Sequence, residues 1–178
     1  MNEFSQVYGE ALFDLTSEEQ LDQAVLDQIL SVDSLLKEEP DYLKLIASPS
    51  IAGEDRLKML DEAFSGRIHE YLLNFLKILC ERNAFDQFHS CAQVYENLYN
   101  EKHNIVPVYV YSAVALSDKQ KEQLVDALTK KSGKTIKLIA KIDPEIRGGI
   151  RCEMAGRRLD NSIETKMDSL RRILSKKS

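Results

Sequence analysis

Residues 142–151 decide how the last third of the chain folds, and they read Ile142-Asp143-Pro144-Glu145-Ile146-Arg147-Gly148-Gly149-Ile150-Arg151. The Asp-Pro pair predicts a turn, because proline presets the backbone angle that a turn needs. The Gly-Gly pair predicts a β-bulge or a close backbone approach, and it lacks the Gly-Lys-Ser/Thr ending of a phosphate loop. Residues 136–142 before the turn and 150–154 after it largely alternate in polarity. The stretch therefore predicts a turn between two half-buried strands.

The flanking segments complete a small α+β domain over residues 105–178. Residues 106–111 are β-branched and aromatic, which is typical of a strand. Ser117-x-x-Gln120 predicts the capped start of an amphipathic helix, and Gly133 predicts its end. Gly156 and the residue after it predict a tight hairpin turn, and residues 160–162 lead into a final helix.

Residues 1–104 read as consecutive helices. Apolar residues recur every three or four positions in six segments, which begin near residues 4, 21, 41, 54, 68 and 88. Thr16-x-x-Glu19 predicts a capping box at the start of the second helix, and Pro40 predicts the end of that helix. The expected fold is mainly α, with a helical bundle over residues 1–104 followed by the α+β domain over residues 105–178.

The composition is that of a globular protein. The chain has 178 residues, of which 43% are hydrophobic and 30% are charged. No window approaches the roughly 18 apolar residues of a membrane span, and the N-terminus shows no secretory signal or transit peptide. Three widely spaced cysteines favour a reducing cytoplasm.

Charge is divided unevenly along the chain. Residues 1–105 carry 20 acidic and 8 basic residues, whereas residues 106–178 carry 9 acidic and 16 basic residues. The first 36 residues contain eight acidic residues and no lysine or arginine. Such a polarised chain is expected to present different surfaces to different partners.

No motif predicts catalysis, a metal site or a cofactor. The histidines and cysteines of the helical half have no zinc-site spacing, and Cys152 lies on a predicted strand with no nearby histidine to activate it. These residues are expected to have structural roles: His69, Cys80, His89, Cys91 and Cys152.

The residues alone leave two kinds of function to be considered. One is a two-domain RNA-associated regulatory protein that uses the basic C-terminal half, since clustered lysines give salt-sensitive phosphate affinity. Against it, only Tyr109 and Tyr111 could stack bases there, so no nucleic acid is expected. The other is a small enzyme, which would need a pocket with converging polar groups that the sequence does not show.

Four stretches, in order along the chain, resemble the delta subunit family of F-type ATP synthases, the oligomycin-sensitivity-conferring protein family. Residues 8–15 are similar to the family's Tyr-Ala-x-Ala-Leu-Phe opening, with Gly9 in place of the usual alanine. That glycine is expected to cost the first helix about 1 kcal/mol. Residues 45–51 resemble its Leu-x-x-Pro-x-Ile/Val turn, residues 72–85 resemble its Leu-Leu-x-x-Phe-Leu helix, and residues 142–163 carry the most specific match.

The resemblance implies a non-catalytic stator subunit of the peripheral stalk. It implies a six-helix bundle docked on the catalytic head through the N-terminal helix of one alpha subunit. It also implies a smaller C-terminal domain that holds the C-terminal ends of the b subunits. The implied protein needs no cofactor and is present in one copy per complex. It would lie at the cytoplasmic face of the bacterial plasma membrane, as a peripheral component held only through the complex.

The resemblance also implies two sets of functional residues. The first and fifth helices would bind the alpha-subunit helix through Tyr8, Ala11, Leu12, Asn74, Ile78 and Leu79. The C-terminal domain would depend structurally on Asp143, Gly148, Gly149, Gly156, Asp160 and Ser162.

Overall fold

The computed structural model describes residues 2–146, 149–154 and 157–160, the last four as backbone only. The chain divides into two compact units, Met1–Asn100 and Glu101–Ser178. Their boundary lies slightly before the residue 104 expected from the change of sequence period. A mainly α chain with a small sheet, as predicted, is confirmed.

The first unit is helical throughout. Its residues form six α-helices and one short 3-10 turn between the fifth and sixth helices. The elements are α1 (Glu3–Glu18), α2 (Asp22–Glu38), α3 (Pro40–Ala47), α4 (Gly53–Phe64), α5 (Glu70–Glu81), the 3-10 turn (Phe85–Gln87) and α6 (Phe88–Lys102). Within the described residues, no helix is both long enough and apolar enough to cross a membrane.

The apolar stripes of these helices form one buried core. Val25 and Ile29 of α2, Leu72 and Leu76 of α5 and Tyr95 of α6 are at most 1% exposed. Such residues lie three or four positions apart in each helix, which is the spacing that puts them on one face. The predicted periodicity therefore identified the core residues of α2, α5 and α6, whereas the stripe predicted for the first helix is partly exposed, with Val7 at 55% and Leu15 at 42%.

Thr16 does not begin a capping box, so that prediction was wrong. It lies inside α1, which ends only where Gln20 takes a φ of 58°. The Thr16 hydroxyl is buried, 2.6 Å from the Tyr95 hydroxyl and 3.0 Å from the carbonyl oxygen of Leu12. Burial raises the pKa of Tyr95 to about 12. The hydroxyl thus satisfies a buried tyrosine, and α2 begins without a side-chain cap.

Gly9 allows α1 to approach α6 closely. A Cβ atom placed there would lie 2.8 Å from the Cβ of Val94 and 3.0 Å from the carbonyl oxygen of Cys91. Neither atom belongs to the flexible end of a side chain, so a methyl group could be accommodated only if the helices moved apart. Glycine is therefore unfavourable for the helix propensity of α1 at position 9, but it is required there by the close packing of α1 on α6.

We expect Gly9→Ala to destabilise the full chain by up to about 2 kcal/mol. Alanine improves helix propensity by about 1 kcal/mol, but overpacking a tight contact costs typically 1–3 kcal/mol. Urea denaturation of the full chain measures the difference. Gly53→Ala is the matched control, because nothing lies within 4 Å of a Cβ at Gly53. A Gly9→Ala protein more stable than the parent chain would contradict the packing argument.

The second unit contains a four-stranded sheet of order β2-β1-β3-β4 in its described part. β1 pairs in parallel with β2 and antiparallel with β3, and β3 pairs antiparallel with β4. The described elements are β1 (Ile105–Ser112), α7 (Asp118–Ser132), β2 (Thr135–Ile142), β3 (Ile150–Met154) and β4 (Arg157–Asp160).

Helix α7 covers one face of this sheet. Its start carries the predicted capping box between Ser117 and Gln120, and it ends at Gly133, which has a φ of 67°. No residue of α7 is fully buried. Its half-buried side chains, among them Leu124 and Leu128, pack on a small core whose buried members are Val108, Val110, Ile136 and Cys152.

Candidate helix-binding groove

A groove of about 290 Å³ lies between α1 and α5. It is open on one side, and its walls are mainly apolar. Leu15 and Ile78 are each 42% exposed there, although both are large aliphatic residues. The groove is lined by Tyr8, Ala11, Leu12, Leu15, Tyr71, Asn74, Phe75 and Ile78.

Helical spacing explains why these residues meet. In α1, Ala11 and Leu15 follow Tyr8 by three and seven positions, so they share one face. In α5, Asn74 and Ile78 follow Tyr71 by the same intervals. Each helix thus turns one apolar face to the core and leaves the neighbouring strip open to the groove. Sequence period alone predicts such strips but not that two of them face each other.

Five of the six residues expected to bind a helix line the groove, and Leu79 does not. Leu79 is 0% exposed and lies in the core. It follows Ile78 by one position, a rotation of about 100° that carries its side chain from the groove to the interior. Leu12 is only 5% exposed and lies at the edge of the core.

Three lining residues were missed by sequence reasoning. Leu15 has the helical spacing that would have identified it, and so do Tyr71 and Phe75, which precede Ile78 by seven and three positions. Tyr71 also lies at the start of α5, where the His69 side chain accepts a hydrogen bond from the Tyr71 N–H at 3.3 Å. This cap fixes where α5 begins and so the position of Tyr71 at the groove.

A second cavity of about 310 Å³ is lined by residues of α2, α3, the 3-10 turn and α6. Its polar groups satisfy one another. Lys37 Nζ lies 2.6 Å from Asp33 Oδ2, and His89 Nδ1 lies 2.8 Å from Asp33 Oδ1. Asp86, which also lines this cavity, accepts a hydrogen bond from the Gln87 side chain at 2.9 Å. Because the side chains of Asp33, Lys37 and His89 already bond to one another, the α1–α5 groove is the better candidate for a partner.

Asp143 organises the predicted turn of the second unit. Its N–H donates to the Ser112 carbonyl at 2.9 Å, and its carboxylate accepts from the Glu145 N–H at 3.1 Å. Arg151 Nη2 lies 3.1 Å from the same carboxylate, with the two side chains 19% and 20% exposed. One aspartate and one arginine therefore link the turn that follows β2 to strand β3.

The other residues assigned to this domain are only partly described. Gly149 has a φ of 80°, a backbone conformation that favours glycine. Asp160 ends β4 opposite Arg151 in the strand register. Gly148, Gly156 and Ser162 lie outside the described residues.

The cysteines have the environment of structural residues. All three thiols are free and buried. Burial raises the pKa of each thiol above its ordinary value, to about 11 for Cys91. A raised pKa suppresses the thiolate that a nucleophile or metal ligand needs. Within the described residues, no group of three or more His, Cys, Asp or Glu side chains could hold a metal ion.

A helical bundle with an open apolar groove between two helices is the geometry used by the class of proteins that recognise other chains by helix-in-groove packing. Comparison with known proteins identifies the family. Residues 4–174 match the family model of the ATP synthase delta (OSCP) subunit. The chain therefore belongs to this family.

Individual relatives agree over nearly the full length. The chain is 30% identical to ATP synthase subunit delta of Halalkalibacterium halodurans, with 94% of this chain and 92% of that protein covered. It is also 30% identical to ATP synthase subunit delta of Prochlorococcus marinus subsp. pastoris, with 99% and 98% covered. The fold is similar to a chain of the Toxoplasma gondii mitochondrial ATP synthase hexamer, with a TM-score of 0.75, 18% identity, and 97% of this chain and 98% of that chain covered.

Family membership establishes the general function. The chain is a non-catalytic stator and connector subunit of an ATP synthase, and it serves ATP synthesis and ion transport as a member of that membrane-associated complex. The predicted family, function and lack of an enzymatic activity are thereby confirmed, and nothing supports the RNA-associated alternative.

Proposed function

We propose that the two halves of this connector bind different partners. Residues 1–104 act as a six-helix bundle that binds the catalytic head through the N-terminal helix of one alpha subunit. Residues 105–178 hold the C-terminal ends of the b subunits. One copy serves each complex, at the cytoplasmic face of the bacterial plasma membrane and attached to the membrane only through the complex.

The observation that carries the first half of the proposal is the open α1–α5 groove. Its lining residues span Tyr8 to Leu15 and Tyr71 to Ile78, which is about 10 Å along each helix. That length accepts about two turns of an amphipathic helix. Binding would cover Leu15 and Ile78, whose exposure in the free chain has no benefit for the fold.

The second half of the proposal is supported by charge and by the turn at Asp143. Residues 106–178 carry an excess of seven basic residues, whereas the preceding part of the chain is acidic. Opposite charge suits the two halves to chemically different partners. The Asp143–Arg151 pair joins the residue after β2 to β3, which gives a partner a defined surface at that edge of the described sheet.

The mechanical role explains why binding is the whole function. A stator must keep the head from turning with the rotor, so that proton flow drives ATP synthesis instead of rotating the head. Such a connector needs contacts that dissociate slowly under load, and it has no need of a reacting group.

Co-purification with an ATP synthase head tests the proposal. The full chain should be retained by an intact head and lost after the N-termini of the alpha subunits are removed. A fresh intact head should then recover it. Equal retention by intact and trimmed heads would overturn the assignment of the groove to the alpha-subunit helix.

A further inference from the structure

The α1–α5 groove has charged surroundings as well as apolar walls. α1 contains four acidic residues and no basic residue, and α5 contains two acidic residues and one lysine. That lysine, Lys77, lies 2.6 Å from Asp61 of α4, so its charge is already paired. The two helices that form the groove therefore carry a marked excess of negative charge.

The largest excess of negative charge lies at one end of the groove, where the last turn of α1 meets the first turn of α5. The Tyr71 hydroxyl lies 3.4 Å from the Glu19 carboxylate, which places the end of α1 beside the start of α5. Glu18 and Glu70 are exposed at this same end. At the other end of the groove, Asn2 before α1 donates a hydrogen bond to Gln87 after α5, and Glu3 and Glu81 lie there with Arg82, whose positive charge offsets part of the negative charge.

The pKa of the Tyr71 hydroxyl is affected by this negative charge. The Glu19 carboxylate is the main cause that raises the pKa of the Tyr71 hydroxyl, and Glu70 adds to it. The carboxylates of two different helices therefore act on one position inside the groove.

The stability of α1 does not explain these acidic residues. Its last turn contains Glu18 and no basic residue, and Glu19 is its C-cap. The C-terminal end of a helix carries partial negative charge, so acidic side chains there are unfavourable. Their position therefore favours a role toward a binding partner.

We infer that the occupant of the groove is an amphipathic helix of another protein whose lysine or arginine side chains cluster at one end, where they meet Glu18, Glu19 and Glu70. This inference rests on the proposed function of the groove and adds the charge and the direction of the bound helix. The apolar face of the helix supplies affinity, and the basic end fixes its orientation.

Three synthetic helical peptides test the inference with the full chain. Each has 18 residues with the same leucine and alanine stripe, and residues flanking one end are lysine, glutamine or glutamate. In 50 mM salt, we expect the lysine peptide to bind at least tenfold more tightly than the glutamine peptide, and the glutamate peptide to bind most weakly. The difference should shrink to about twofold in 0.5 M salt, because salt screens exposed charges.

Charge reversal identifies the end of the groove that is used. Glu18→Lys should remove most of the preference for the lysine peptide and leave the glutamine peptide unaffected. Asp27→Lys makes the same change of charge at an exposed position of α2 and should leave both affinities unchanged. Glu18→Lys also puts a favourable charge at a helix end, so the variant should fold.

Other outcomes separate the inference from the proposed function. Equal affinities for the lysine and glutamine peptides in low salt, with both lost in Ala11→Asp, would overturn the inference and leave the groove as a helix site. Failure of all three peptides to bind would overturn both. Tighter groove binding by a synthetic peptide of residues 161–178, or self-association that Ala11→Asp abolishes, would show that this chain itself is the occupant and would also overturn the inference.

Discussion

Ala11→Asp is expected to weaken binding of the alpha-subunit N-terminal helix at least about 100-fold. Ala11 lies on the groove wall and is exposed in the free chain, so a bound apolar helix would bury the new carboxylate without a partner. Burying an unpaired polar or charged group costs several kcal/mol, and each 1.4 kcal/mol is a factor of ten in affinity. Titration of the full chain with an alpha-subunit N-terminal peptide measures the change.

Ala24→Asp provides the matched control for this substitution. Ala24 is also an exposed helical alanine of the first unit, but it lies on α2 and does not line the groove. The free energy of unfolding of both variants should lie within about 1 kcal/mol of that of the parent chain, since alanine and aspartate differ by less than that in helix propensity. Normal peptide affinity in a folded Ala11→Asp protein would show that the groove is not the binding site.

Gly149→Val is expected to uncouple ATP hydrolysis from proton pumping in the ATP synthase, while the chain still binds the catalytic head. With a φ of 80°, Gly149 has a backbone conformation that a β-branched residue strongly disfavours, and the strain costs about 1–3 kcal/mol. The second unit has little to offset it, because no residue of α7 is fully buried. The groove lies in the first unit, which buries its own core and should be unaffected.

Two properties are measured for the Gly149 variants, head binding and ATP-driven proton pumping. Head binding by titration should be normal. One or two kcal/mol of strain lowers the ratio of folded to unfolded stalk-binding unit roughly five- to 30-fold, so ATP-driven proton pumping in reconstituted membranes should fall. Gly149→Asn should retain more pumping than Gly149→Val, because asparagine tolerates a positive φ best after glycine. Normal pumping by Gly149→Val, or loss of head binding with it, would contradict the division of labour between the two units.

Local sequence signals predicted the elements well because each signal acts within a few residues. The capping box at Ser117 and the glycine stop at Gly133 depend on hydrogen bonds or backbone angles inside one short segment, and so does the bond between the Glu145 N–H and the Asp143 carboxylate that forms the predicted turn. The helical period likewise required only the distinction between apolar and polar residues. Boundaries shifted slightly, as with α5, which begins at Glu70.

Long-range contacts account for what sequence reasoning missed. Thr16 has the local pattern of a capping box, but its hydroxyl pairs with Tyr95, which is 79 residues away in the chain. Leu79 shares a helix with Ile78, and only the packing of α5 decides which of the two faces the groove. Gly9 looked unfavourable by helix propensity alone because its neighbour Val94 belongs to a different helix.

The contact between Gly9 and Val94 has a consequence for how the family can vary in sequence. A Cβ atom at Gly9 would lie 2.8 Å from the Cβ of Val94, so the two positions share one fixed volume and cannot change independently. Relatives with alanine at the position of Gly9 should tend to have a smaller residue at the position of Val94, or a wider separation of the two helices. Substitutions at the two positions should therefore compensate each other, and the two positions should covary among relatives.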